Sequence, residues 1–206
     1  LNAGLTLIFN KKKYYSKNGL LDLLNKNIDI EKARYPIVHI KKGDVEVAFT
    51  HSSHYGEEYY TFVNGQHTTQ GGTHLTAFKE SIVKSVRDFY KKDFDPLDIR
   101  SAIAAAVSVK IQEPVFESQT KTKLGSTEMS PNGETIRSKF IDLFKVEFDN
   151  YLHKNQDMAN ALLERILQSE KERKDMAGIR KLANKRAKKA NLFNKKLRDC
   201  KNHPLL

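Results

Sequence analysis

One cysteine, Cys200, is all the thiol this 206-residue chain carries, so no internal disulfide framework can staple it. Such a chain suits a reducing compartment. No apolar run approaches the roughly 20 residues that a membrane-spanning helix needs, and no signal-peptide pattern opens the sequence. A membrane role is therefore not expected. The phosphate-cradling pattern GxxxxGK[ST] does not occur, which excludes a P-loop. Proline is missing from Gln156 to Cys200, and Gly178 is the only glycine there. Nothing in that stretch breaks a helix. The opening LNAGLTLIFN lacks a Met and already reads as a strand, so the chain is expected to be a piece of something longer.

What remains is enough for a core. With 39% apolar residues, 206 residues suit one large domain or two small ones. Net charge is +11, and it is unevenly placed. Residues 151–206 hold 15 Lys and Arg against 6 Asp and Glu, which accounts for +9 of the excess. A concentrated positive segment favours polyanions, nucleic acid first, through counterion release. The plain alternative is a solvated, charged helix.

The hydrophobic period changes along the chain. Leu5 to Phe9 reads as a strand and Gly19 to Asn27 as a short helix. Tyr35 to Ile40, Val45 to His51 and Glu57 to Asn64 then read as strands, the first two joined through KKGD as a hairpin. After Gly71 and Gly72, with Thr73 as N-cap, the positions Leu75, Phe78, Ile82, Val83, Val86, Phe89 and Tyr90 share one helical face. A helical turn near DPLDIR leads into a buried strand, Ala102 to Ile111. Another amphipathic helix carries Ile136, Phe140, Leu143, Phe144, Phe148, Tyr151 and Leu152. From about Gln156 to Cys200 a thin stripe (Leu162, Ile166, Met176, Ile179, Ala183, Ala187, Ala190, Leu197) marks a helix of about 60 Å. It reads as a strut to another domain, as a DNA-facing arm, or as both.

Two polar constellations invite chemistry. FESQTKTKLGS (Phe116 to Ser126) follows the buried strand. If extended, it places Gln119, Lys121 and Lys123 on one side, an amide beside an ammonium suited to an anionic oxygen. The plain alternative is a solvated turn ending at Gly125. His51 and His54, with His67 and His74 nearby, raise the question of a metal. A spacing of three in a loop, with no second ligand pair, is not a zinc signature, so no metal is expected there. GGTH reads as a tight entry into a packed helix, where glycines allow close backbone approach. Cys200 has no acid–base partner nearby in sequence.

Three stretches in this order, FVNGQHTTQGGTHLTAFKESI (Phe62 to Ile82), VKIQEPVFESQTKTKLGS (Val109 to Ser126) and KKLRDC (Lys195 to Cys200), resemble the B subunit of bacterial type IIA DNA topoisomerases. The resemblance covers nearly the whole chain. NGQHTTQGGTH is closer to the topoisomerase IV wording than to the gyrase one. It implies an α+β fold, ribosomal protein S5 domain 2-like. Expected are a mixed sheet of about four strands with helices on one face, a left-handed βαβ crossover, and a long C-terminal helix. It further implies residues 1–33 as the end of the GHKL ATPase domain, 34–155 as the transducer domain, and 156–206 as a long basic helix leading to a toprim domain.

By the same resemblance, Gln119 and Lys121 reach the γ-phosphate of ATP in the neighbouring domain, with Lys121 in the catalytic role and Lys123 given no phosphate contact. Mg2+ is expected to be bound by parts of the protein outside these residues. Double-stranded DNA, a topoisomerase A subunit and a second B subunit are the implied partners, in a bacterial cytoplasm at the nucleoid. Lys185, Arg186, Lys188 and Lys189 are the candidate DNA-facing cations. The gyrase B protein is the nearest alternative, and a free-standing S5-like nucleic-acid-binding module is the one from a different class.

Overall fold

The computed structural model describes residues 3–53 and 56–193. The chain divides into two compact units, Leu1–Leu167 and Gln168–Leu206. The first opens with a hairpin of β1 (Thr6–Phe9) and β2 (Lys12–Tyr15), followed by helix α1 (Leu20–Asn27). A five-stranded sheet follows, in the order β3 (Val38–Lys42), β4 (Val45–His51), β7 (Ile103–Val109), β5 (Glu58–Val63), β6 (Gln66–His67). Strand β7 pairs antiparallel with β4 and parallel with β5, so the sheet is mixed. The connection from β5 to β7 runs through β6, helix α2 (Thr73–Tyr90) and the short α3 (Pro96–Arg100).

The apolar run is the centre of the sheet because both of its faces are covered. Ile103, Ala105, Val107 and Val109 join the main core, while Ala104 and Ala106 face the other way against Leu20 and Leu24 of α1. Period two sends Ile103, Val107 and Val109, with Ala105, to one face and the small Ala104 and Ala106 to the other. The expectation of helices on one face is thereby corrected. Ala48, Ala104 and Ala106 leave a surface flat enough for α1 to lie on it. The expected count of about four strands is also low. The two-residue strand β6 is too short and polar to show a pattern.

On the main face, α2 buries Phe78, Ile82, Val83 and Val86. The helix read as continuous from Ile136 is in three parts: α4 (Ile136–Leu143), a π-helical turn (Phe144–Phe148) and α5 (Asp149–Lys154). Phe140, Phe144, Phe148 and Leu152 repeat every fourth residue, a spacing that drifts about 40° per step round an α-helix. The wide turn absorbs that drift. Phe144 and Phe148 thus both meet Phe49, with ring centroids at 6.0 and 5.3 Å.

Helix α6 runs from Gln156 to Phe193. Met158, Ala159, Leu162 and Ile166 at its start belong to the core of the first unit. Beyond it the expected apolar stripe is not a packing face, since Met176, Ile179 and Ala183 are exposed. No helix among the described residues is long and apolar enough to cross a membrane.

Candidate functional site

The QTK segment does not run extended. Ser118 to Lys121 form a turn, closed by the Lys121 N–H donating to Ser118 O at 3.0 Å, with the Ser118 and Thr120 hydroxyls 2.8 Å apart. Lys121 itself takes a left-handed backbone, φ +54°. Alternation with period two therefore fails, and Gln119, Lys121 and Lys123 do not form a row. The two lysines differ in surroundings. Lys123 Nζ pairs with Glu117 Oε1 at 2.9 Å. Lys121 is exposed and has no carboxylate partner among the described residues. Gln119 is exposed beside it at the tip. An unpaired ammonium and an amide on a protruding turn are what an external anion would meet first.

Behind the tip the loop is held firmly. Leu124 is fully buried and bridges to Phe116 on one side and to Gly72 on the other. Gln70 N–H donates to Thr122 O at 2.9 Å, Leu124 N–H to Gly71 O at 3.0 Å, and Thr73 N–H to Leu124 O at 3.3 Å. The Thr73 hydroxyl donates to Ser126 O at 2.5 Å. Thr73 is therefore not the N-cap that the sequence suggested. Gly72 occupies that position, and the hydroxyl is spent on the loop. Close backbone approach at GGTH was legible in sequence, but its partner, 52 residues away at Leu124, was not.

A groove of about 710 Å³ lies beside the base of the loop, over Leu75, Ala77, Leu124 and Ile136. Lys123 and Arg137 on its rim are already paired, with Glu117 at 2.9 Å and Glu80 at 2.5 Å. The groove does not include Lys121.

The histidines are used internally. His51 is fully buried, with Nε2 2.7 Å from Ile99 O and Nδ1 2.5 Å from the Tyr35 hydroxyl. The carbonyl can only accept, so Nε2 carries the proton and Nδ1 accepts from Tyr35. Burial pulls its pKa down to about 4. His74 is likewise buried, and desolvation brings it to about 4. Its Nε2 lies 3.2 Å from the Thr68 hydroxyl. The Thr61 and Thr68 hydroxyls lie 2.8 Å apart and within reach of each other's carbonyls, at 2.6 and 3.0 Å. His67 stacks on Phe62 at 5.0 Å. His54 lies outside the described residues.

Residues 10–182 match the DNA gyrase B family. The chain belongs to that family. Among its relatives, the B subunit of DNA topoisomerase 4 from Borreliella burgdorferi is 42% identical over 203 residues, covering 98% of this chain and 33% of its own length. The B subunit of DNA gyrase from Clostridium acetobutylicum is 31% identical over 166 residues, covering 76% of this chain and 25% of that protein. This gyrase B-family chain thus spans about a third or less of the length of these two relatives. In structure it resembles the 43K ATPase domain of Thermus thermophilus gyrase B, solved with an aminocoumarin. The TM-score is 0.73 and the identity 26%, over 87% of this chain and 52% of that one.

Of the cations expected to face DNA in this gyrase B-family chain, Lys185, Arg186 and Lys188 are exposed on α6. The side chain of Lys189 lies outside the described residues, as do Cys200 and the KKLRDC stretch. Sequence reasoning missed Glu117 as the partner that neutralises Lys123. The only signal was a carboxylate six residues before a lysine across a turn.

Proposed function

We propose that the chain is the transducer segment of a type II DNA topoisomerase B subunit, of the topoisomerase IV kind. In this reading Gln119 and Lys121 contact the γ-phosphate of ATP held by the neighbouring GHKL domain. The observation that carries it is the contrast on one loop: Lys121 unpaired at the tip of a clamped turn, Lys123 neutralised by Glu117. A fixed ammonium stabilises the charge that gathers on the γ-oxygens in a loose phosphoryl-transfer transition state. The contact ends when phosphate leaves, so the loop reports nucleotide state to the sheet and helices behind it.

Residues 1–33 are the end of the ATPase domain, and the exposure of Leu7, Ile8, Phe9 and Tyr15 on β1 and β2 supports a sheet continued elsewhere. Residues 34–155 are the transducer, of S5-like fold with a left-handed crossover, and 156–206 lead toward toprim. Mg2+ and most of the nucleotide pocket belong to parts of the protein outside residues 1–206. DNA, the A subunit and a second B subunit are the partners, in a bacterial cytoplasm at the nucleoid. The greater identity to a topoisomerase IV protein than to a gyrase protein supports the subtype.

The deciding experiment is ATPase and strand-passage activity of Lys121→Ala in the full-length protein, beside its ATP affinity. Turnover should fall far more than affinity. A variant that turns over normally would remove the γ-phosphate role.

A further inference from the structure

The loop tip is positioned by atoms that cannot yield. Gly72 sits at φ +131°, where L side chains are strained, and a Cβ there would lie 2.4 Å from Leu124 O and 2.6 Å from Leu124 N. Those are backbone atoms, so any larger residue must push the loop away from α2. Gly71 differs, because its nearest obstacle is a terminal methyl of Leu75 at 2.6 Å, which can rotate aside. Lys121 lies three residues before Leu124, with no regular element between them. At its other end the clamp is tied to the sheet, through Thr68 to Thr61 of β5 and through Thr68 to His74 of α2.

We infer that Gly72 and Thr73 are positioning residues for the Lys121 loop. The Gly72–Leu124 contact sets how far the tip projects. It is also the link by which a shift at Lys121 reaches the start of α2 and the β5–β6 hairpin. The effect on turnover rests on the reading of Lys121 given above, whereas the clamp rests on its geometry alone.

The test uses the full-length protein with Gly72→Ala, Thr73→Val, Thr73→Ser, Lys121→Ala and the double variant Gly72→Ala/Lys121→Ala. Gly178→Ala serves as a control, since nothing lies within 4 Å of its added Cβ. Amide hydrogen exchange at Leu124 reads the clamp, and kcat and KM for ATP read its consequence. Gly72→Ala should speed exchange at Leu124 about tenfold or more without a general rise elsewhere. It should lower kcat by about 10- to 100-fold, the scale of an ångström-sized misplacement, while KM moves by less than about threefold. Thr73→Val should act in the same sense more mildly, and Thr73→Ser should restore both readouts. The double variant should lose no more turnover than Lys121→Ala alone.

Unchanged exchange at Leu124 in Gly72→Ala, or additive loss in the double variant, overturns the inference. If Gly72→Ala does not fold, the Thr73 pair decides. A Val variant with normal exchange and turnover overturns the inference, and a defect that Ser rescues supports it. Normal turnover in Lys121→Ala with a loosened Leu124 in Gly72→Ala would remove the γ-phosphate reading and leave the clamp standing.

Discussion

Two lysines two residues apart on one loop meet different surroundings, and that difference sets the expected ranking of their variants. Lys121→Ala should lower ATP turnover by about 10²–10³, the usual loss on removing one preorganised donor from a developing anion. Gln119→Ala should be milder, because a neutral amide bonds phosphate more weakly than an ammonium does. Lys123→Ala should be mildest, since it breaks only a surface pair with Glu117, worth about 0–1 kcal/mol. Steady-state ATPase assays on the three full-length variants check the order, and a larger defect in Lys123→Ala would reverse the assignment.

The buried histidines give a second residue-scale prediction. Folded pKa values of about 4 lie below the ordinary value of 6.5, so the unfolded chain binds more protons between them. Stability is then full above about pH 6.5 and falls as pH drops toward 4, by on the order of 3 kcal/mol per histidine. Asp22, Glu46 and Glu57, whose pKa values are lowered, add their loss only in the carboxylate range below that. Denaturant midpoints measured from pH 7 to 5 should fall steadily, and a flat profile there would contradict the neutral, buried assignment.

Among the elements, an interlocked aromatic cluster ties the sheet to the helices on its main face. Phe49 of β4 touches Phe78 of α2 and Phe144 and Phe148 of the π-helical turn, and all four are fully buried. One side chain thus joins the sheet to both helical layers on its main face. Phe49→Ala should cost about 3–5 kcal/mol, since three fixed rings leave the cavity little room to collapse. Leu182→Ala, on an exposed stretch of α6, should change stability by less than about 0.5 kcal/mol. Chemical denaturation of the two variants tests the contrast. Equal costs would mean that the cluster relaxes on truncation.

At the scale of the whole molecule, charge is segregated, with most of the positive excess in residues 151–206. If about five of those cations contact phosphates, DNA affinity of the full-length protein should fall with log[salt] at a slope near −4 to −5. Charge reversal at Lys185, Arg186, Lys188 and Lys189 should flatten that slope. Unchanged affinity would leave α6 a solvated strut. The 206-residue chain by itself should neither bind ATP tightly nor hydrolyse it, because in the proposed reading most of the pocket belongs to another part of the protein. Micromolar ATP binding by the chain, measured calorimetrically, would refute the domain assignment.

Much of this was legible in sequence, and for a local reason. β-branched and aromatic residues marked β4 to its ends, and period 3.6 marked the buried face of α2, because each signal is set by neighbours a few residues apart. The run IAAAVSV announced a buried strand. Three motifs in order were enough to place the family. Tertiary structure alone decided which positions meet across the chain. The turn at Ser118–Lys121 replaced the extended row. Glu117 singled out Lys123, α1 took the second face of the sheet, and Gly72 found Leu124. None of these leaves a periodic trace: the turn and the Glu117–Lys123 pair are set by the backbone within one loop, while α1 and Leu124 reach their partners from distant segments. A backbone approach that forbids a Cβ is written in sequence as a glycine, but what it approaches is written only in the fold.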